Sequence, residues 1–201
     1  EDRLKSLRVA ATKKKFTFSK SKTKTKEPTA SPISLKPENK PEPEPELLKR
    51  DIVYADLANT TITVPPCTEA VPLHLTNLTE CQVRLEGVAL SAVRLFNCKG
   101  VHIYFDLAIP GSVYVDSCQE CVLHQLPTCQ LRAFNSTQIT VSLYVTSHPT
   151  IEKCTHFSVS AFDGGSQKLD DLFQGKVPDN LYKHVQDFDS PMGQSANWVA
   201  S

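Results

Sequence analysis

From about residue 47 to residue 160 the apolar positions fall in short β-branched runs broken by turn residues. The alternation is clearest in Thr140–Val145, where Val141, Leu143 and Val145 share one face and Thr140, Ser142 and Tyr144 the other. Thr61–Val64, Val101–Phe105 and Ser112–Val115 read as further strands, and no helical stripe interrupts the series. A second pattern runs across these strands. Cys98, Cys118, Thr137 and Cys154 each precede a small or apolar residue three places on, namely Val101, Cys121, Thr140 and Phe157. The steps between them are 17–20 residues. Evenly spaced strands alone fit a sandwich or barrel; a repeat of this length predicts a parallel β-helix, in which coils stack and equivalent side chains form ladders. A narrow interior corner has room for Cys, Thr or Ser. Cys81 lies 17 residues before Cys98 but fits the ladder poorly, with its apolar follower Val83 one place early, and Cys67 does not fit at all.

Beyond about residue 161 the pattern changes. Gly164–Gly165 breaks it, and Leu169, Leu172 and Phe173 predict a short helix with Asp170 and Asp171 near its start. Tyr182, Val185 and Phe188 are expected to pack back on the body, so that the tail caps the last coil. Ahead of the strands, Leu4, Leu7 and Ala11 have helical spacing, and residues 1–12 read as the end of an upstream helical domain. Residues 13–46 read as a disordered linker, basic over 13–26 and rich in Pro and Glu over 27–46. The expected folded domain is 47–201.

Charge sharpens this division. The formal net charge is zero, yet residues 1–26 carry ten Lys/Arg against two Asp/Glu, and residues 51–201 carry eight against fifteen. The basic arm, with Phe16 and Phe18 among its lysines, reads as a solvated tail, a docking strand for an acidic protein surface, or a phosphate binder. Seven cysteines form no zinc pattern: Cys118-x-x-Cys121 lacks a second Cys or His pair at ligand spacing, and it falls in a strand where a redox motif would open a helix. Buried structural thiols are the expected role, with no metal and no cofactor. No phosphate-binding G-x-x-x-x-G-K-[ST] loop is present, the six histidines are scattered, and no apolar run is long enough for a membrane span.

One segment stands apart. In Cys129-Gln-Leu-Arg132, Gln130 and Arg132 are two residues apart, so on a strand they project from the same face. A planar, permanently charged guanidinium on a rigid stack suits either a surface ion pair or the stabilisation of phosphate charge in a partner's site.

Several motifs carry a resemblance in order and spacing. They are Ser112 to Cys118, Gln130-Leu131-Arg132, Leu143-Tyr144-Val145-Thr146-Ser147, Ile151-Glu152-Lys153-Cys154, the arm Lys13–Phe18, and the tail from Val185 to Trp198. Together they resemble the C-terminal domain of the tubulin-binding cofactor C family, of which the chain looks like a divergent member. The resemblance implies an all-β fold, a right-handed parallel β-helix with a short C-terminal cap. It implies a cytoplasmic, cytoskeleton-associated tubulin-folding cofactor that acts with cofactors D and E on GTP-bound αβ-tubulin. In that role the chain is a GTPase activator with no active site of its own. Arg132 would be an arginine finger supplied in trans, with Gln130 supporting it or touching the partner. Cys129 stands where the family pattern has a first Gln, and Pro127 sits in a longer preceding segment.

Two rival functions remain open at the level of sequence. One is activation of an Arf-like GTPase in lipidated-cargo traffic, as in a related retinitis pigmentosa protein. The other is actin binding, as in the β-helical domain of cyclase-associated proteins, which lacks the Gln-Leu-Arg segment. All three readings take protein partners, with no nucleic acid.

Overall fold

A computed structural model describes residues 51–165, 169–170, 173–192 and 195–201. The helical reading of residues 1–12, the linker at 13–46, the domain start at 47, and Asp171 and Leu172 lie outside the described residues. The described chain is a parallel β-helix. Its strands are β1 (Ile52–Ala55), β2 (Thr61–Thr63), β3 (Cys67–Thr76), β4 (Gln82–Leu85), β5 (Val88–Phe96), β6 (His102–Phe105), β7 (Ile109–Asp116), β8 (Val122–Phe134), β9 (Thr140–Val145), β10 (Thr150–Glu152), β11 (Phe157–Ala161), β12 (Gln186–Asp187) and β13 (Trp198–Ala200). Two parallel ladders run the length of the stack. One follows β1-β3-β5-β7-β8-β10-β12 and the other β2-β4-β6-β8-β9-β11-β13. Strand β8 serves both, pairing with β6 and β9 through its first half and with β7 and β10 through its second.

The corner between the ladders recurs in six coils, joined by single parallel bridges through Ala58, Thr79, Lys99, Gln119, Thr137 and Thr155. This register corrects the sequence alignment. Thr137 stacks on Gln119 and Thr155, so the residue level with Cys98, Cys118 and Cys154 is Ser136. The inward follower is then Ile139 in place of Thr140, and Ile139 is fully buried while Thr140 faces solvent. In the same register Leu78 fills the inner site of its coil, and Cys81 belongs to the column of Val101, Cys121, Ile139 and Phe157. The one-residue slip moved hydroxyls to sites that the pleat reserves for apolar groups.

Each corner turns on two residues of positive φ, one just before the inner residue and one two places after it. The first set is Asp56, Asn77, Asn97, Ser117, Asn135 and Lys153; the second is Asn59, Glu80, Gly100, Glu120, Gln138 and His156. This left-handed conformation costs most residues about 1–2 kcal/mol, and Asn, Asp and Gly least. It is stabilised by coil-to-coil hydrogen bonds, such as Asn97 N–H to Asp116 C=O at 3.0 Å and Lys99 N–H to Leu78 C=O at 2.8 Å. Outside, Asn97 Nδ2 donates to Asn77 Oδ1 at 2.8 Å and Asn77 Nδ2 to Asp56 Oδ1 at 2.7 Å. Inside, the corner side chain donates to the carbonyl two residues back: Cys118 Sγ to Asp116 at 3.2 Å, Ser136 Oγ to Phe134 at 2.7 Å, Cys154 Sγ to Glu152 at 3.4 Å.

All seven cysteines are free thiols, and Cys81, Cys98, Cys118, Cys121 and Cys154 are buried, as structural thiols should be. Neighbouring Cys121 and Cys98, and then burial, push the Cys118 thiol far up, while burial raises Cys154. The Cys118 contact acts the other way on its two neighbours, lowering the Cys98 and Cys121 thiols. Between corners the interior is filled by stacked Leu, Val and Ile, among them Leu73, Leu75, Leu95, Val113, Leu131 and Val141, all essentially inaccessible to water. Each contributes about 1.5–3 kcal/mol by leaving water.

The C-terminal segment closes the last coil. Leu169, Asp170 and Phe173 have helical conformation. Leu181, Tyr182, Val185 and Trp198 pack against the core, β12 extends β10, and β13 extends β11. Phe188 departs from expectation: it is 58% exposed, because alternation past buried Asp187 turns it outward. Asp187 ties the cap together, accepting from Ser195 Oγ at 2.5 Å, Asn197 Nδ2 at 2.8 Å and Asp189 N–H at 2.9 Å. Burial alone would raise its pKa, but the bonds from Ser195, Asn197 and Asp189 together outweigh that and lower it below 3.8.

Two outcomes are expected. Glu120→Gly relieves a positive φ on an exposed corner and raises stability by about 0.5–1 kcal/mol in denaturant melts. Asp187→Ala leaves three donors without their acceptor and costs about 1–3 kcal/mol. Because the folded-state pKa of Asp187 is depressed, its contribution is complete above pH 3.8 and is lost as the pH falls through the lower folded value. Asp187→Asn therefore flattens the acid limb of the stability profile measured by chemical denaturation.

Candidate functional site

Strand β8 delivers Gln130 and Arg132 to the outer face of the first ladder, with Leu131 and Ala133 turned inward and buried. The two side chains meet, as their spacing predicts. With its amide carbonyl turned toward the guanidinium, Gln130 accepts from Arg132 Nε at 3.2 Å and Nη2 at 3.0 Å. That bidentate contact fixes the plane of the guanidinium and leaves its Nη1 edge exposed. Arg132 is solvent-exposed and has no carboxylate partner among the described residues.

The strand under the pair is anchored on both sides. Thr128, fully buried, donates from Oγ1 to Gly111 C=O at 3.1 Å and to Gln130 C=O at 3.3 Å. From the other side, Ser147 Oγ and Thr146 Oγ1 reach the carbonyl of Cys129 at 2.8 and 3.4 Å. The Val-Thr-Ser run singled out in the sequence thus anchors the residue that precedes Gln130. Cys129 takes part through its backbone carbonyl. Gly111 is the tight point: a Cβ there would sit 2.2 Å from Ser91 O on the adjacent coil.

Around Arg132 the face is ordered by register. Tyr114 and Thr150 stand level with it on β7 and β10, and Asp116, Phe134, Glu152 and Phe188 form the neighbouring column. Arg132, Tyr114, Phe134, Thr150, Glu152 and Phe188 line a cleft of about 210 Å³. Lys153 Nζ lies 5.0 Å from the Phe134 ring centre. Sequence reasoning did not assign Tyr114, Phe134 or Phe188 to this site. Period-two alternation marks Tyr114 and Phe134 as outward, but only the coil register shows which outward residues are neighbours.

A different outward cluster lies on the second ladder. Arg84 sits 5.8 Å over the Tyr104 ring, Tyr104 stacks on His124 at 4.4 Å, and His102 Nδ1 lies 3.2 Å from His124 Nε2. Burial first and the facing His102 second lower the His124 pKa below 6.5. No group of three or more His, Cys, Asp and Glu side chains among the described residues is arranged to hold a metal.

Residues 55–188 match the profile of the tubulin binding cofactor C family. The chain belongs to that family. Among curated proteins it is similar to tubulin-specific chaperone C of Dictyostelium discoideum, at 28% identity over 152 residues, covering 63% of this chain and 36% of that protein. It is 29% identical over 129 residues to tubulin-specific chaperone C of Mus musculus, covering 63% of this chain and 35% of the mouse protein. The chain therefore spans about a third of the length of the curated relatives it matches. A solved tubulin binding cofactor C from Leishmania major aligns at 18% identity with a TM-score of 0.48, covering 75% of this chain and 88% of that one. No helix among the described residues is long and apolar enough to cross a membrane.

Gly111→Ala should force β5 and β7 apart beneath the strand that carries Arg132. A loss of about 1–3 kcal/mol is expected by thermal or denaturant unfolding.

Proposed function

We propose that this family member is a tubulin-folding cofactor which stimulates GTP hydrolysis by tubulin, supplying Arg132 in trans within an assembly that contains cofactors D and E. The observation that carries this reading is the state of Arg132: oriented by Gln130, unpaired by any described carboxylate, and exposed on a rigid face. The family and the tubulin-specific chaperones that the chain resembles support tubulin as the partner. In this reading the cofactor works in the cytoplasm beside the cytoskeleton and hydrolyses nothing alone.

The chemistry follows from the geometry. Phosphoryl transfer spreads negative charge over the phosphate oxygens, and a guanidinium placed against them lowers the barrier without proton transfer. Gln130 occupies the Nε–Nη2 edge, so the Nη1 edge is presented to those oxygens. Because the β-helix holds this geometry before the partner arrives, little conformational entropy is lost on engagement.

In the reconstituted tubulin and cofactor assembly, Arg132→Ala should fold normally and lower stimulated GTP hydrolysis by about 10³-fold or more. Arg132→Lys should fail to restore it, since an ammonium cannot reproduce the planar contact. Gln130→Ala should cost about tenfold through lost orientation. Hydrolysis at the wild-type rate with Arg132→Ala would remove the finger assignment.

A further inference from the structure

The outer face of the first ladder carries the Arg132 pattern twice. Arg132-Ala133-Phe134 on β8 lies level with Tyr114-Val115-Asp116 on β7, and that segment lies level with Arg94-Leu95-Phe96 on β5. The pairing is unshifted across all three strands at these positions. An arginine and a phenylalanine two residues on therefore recur in register two coils apart, about 9.6 Å at the strand spacing. Between them stand an aromatic ring and an acid.

Arg94 shares the features that mark Arg132. It is exposed and has no carboxylate partner among the described residues. Its guanidinium lies 5.7 Å over the Tyr114 ring, so the tyrosine steers it as Gln130 steers Arg132. Phe96 beside it is 45% exposed, an unusual state for a large apolar ring. His74, Thr76, Arg94, Phe96, Tyr114 and Asp116 line an open surface hollow of about 500 Å³. The remaining arginine of the domain, Arg84, lies on the other ladder against Tyr104. Two guanidiniums without a described carboxylate partner, one beside exposed Phe96 and one beside half-buried Phe134, thus fall on one face of a domain whose charged residues are otherwise mostly acidic.

We propose that Arg94 and Phe96 form a second anchor for the protein that receives Arg132, fixing where the finger enters. This rests on the reading of Arg132 as a finger acting in trans. The occupant is a folded GTP-binding protein that presents an acidic group to Arg94 and an apolar hollow to Phe96, about 10 Å from its nucleotide. Charge complementarity favours it, since an exposed arginine with no internal partner, beside an exposed ring, has the composition of an interface hot spot. Arg94 is a positioning residue: it sets affinity and register, while Arg132 sets rate.

The test separates these roles in the full assembly of this chain with GTP-loaded tubulin and cofactors D and E. Arg94→Ala and Phe96→Ala should each raise the concentration of this protein needed for half-maximal stimulation about tenfold, with the saturated rate retained. Arg132→Ala should do the reverse, losing the saturated rate with binding retained. Arg84→Ala, on the other ladder, should change neither. Half-maximal concentrations equal to wild type for both Arg94→Ala and Phe96→Ala would overturn the second anchor. So would sedimentation in which the wild type self-associates, the two variants do not, and tubulin binding is unchanged. If Arg132→Ala left the rate intact while Arg94→Ala weakened binding, the finger reading would fail and the docking surface would stand.

Discussion

The structure depends on the corner that joins its two ladders. At this corner, in every coil, the chain turns at the same height by placing two residues in the left-handed region. Those residues are Asn97 and Gly100 in one coil, Ser117 and Glu120 in the next, Asn135 and Gln138 after that. The conformational cost recurs with every coil. It is offset because the turned amides find carbonyls on the neighbouring coil and the inner thiol or hydroxyl caps a carbonyl of its own turn. The cysteine ladder is thus a hydrogen-bonding device built from small side chains. Ser136 performs the same task with a shorter bond, so sulfur is dispensable there.

The site inherits its order from this regularity. Gln130 and Arg132 share a face because the strand alternates, and Thr128 below and Ser147 and Thr146 beside it hold its carbonyls. The surrounding residues come from β7, β10 and β12, segments separated by tens of residues, yet each stands one strand spacing from the next. The fold works as a ruler that sets outward side chains at fixed intervals along one face.

Much of this was legible in the sequence, for identifiable reasons. Strand β9 matches the alternating run Thr140–Val145 residue for residue, and the pairing of Gln130 with Arg132 follows from two-residue spacing alone. The sequence leaves the coil register at Thr137 open by one residue, because polar character gives Ser136 and Thr137 equal claim and only the buried followers separate them. The early coils were obscured because Leu78 fills the corner site that cysteine fills later. The apolarity of Phe188 predicts packing on the body, whereas the buried carboxylate next to it, which sets the alternation, is recognisable only with Ser195 and Asn197 around it.

A stack of identical coils is in principle an unfinished polymer, since its last coil offers the same unpaired edge that the next coil would have used. Here that edge is covered by β12 and β13, strands of two and three residues, the first followed directly by exposed Phe188 and a turn through Asp189 to Pro191. Edges so short, interrupted by an acid and a proline, make poor templates for a further strand. The carboxylate of Asp187 therefore fastens the short strands that cover the edge of the last coil.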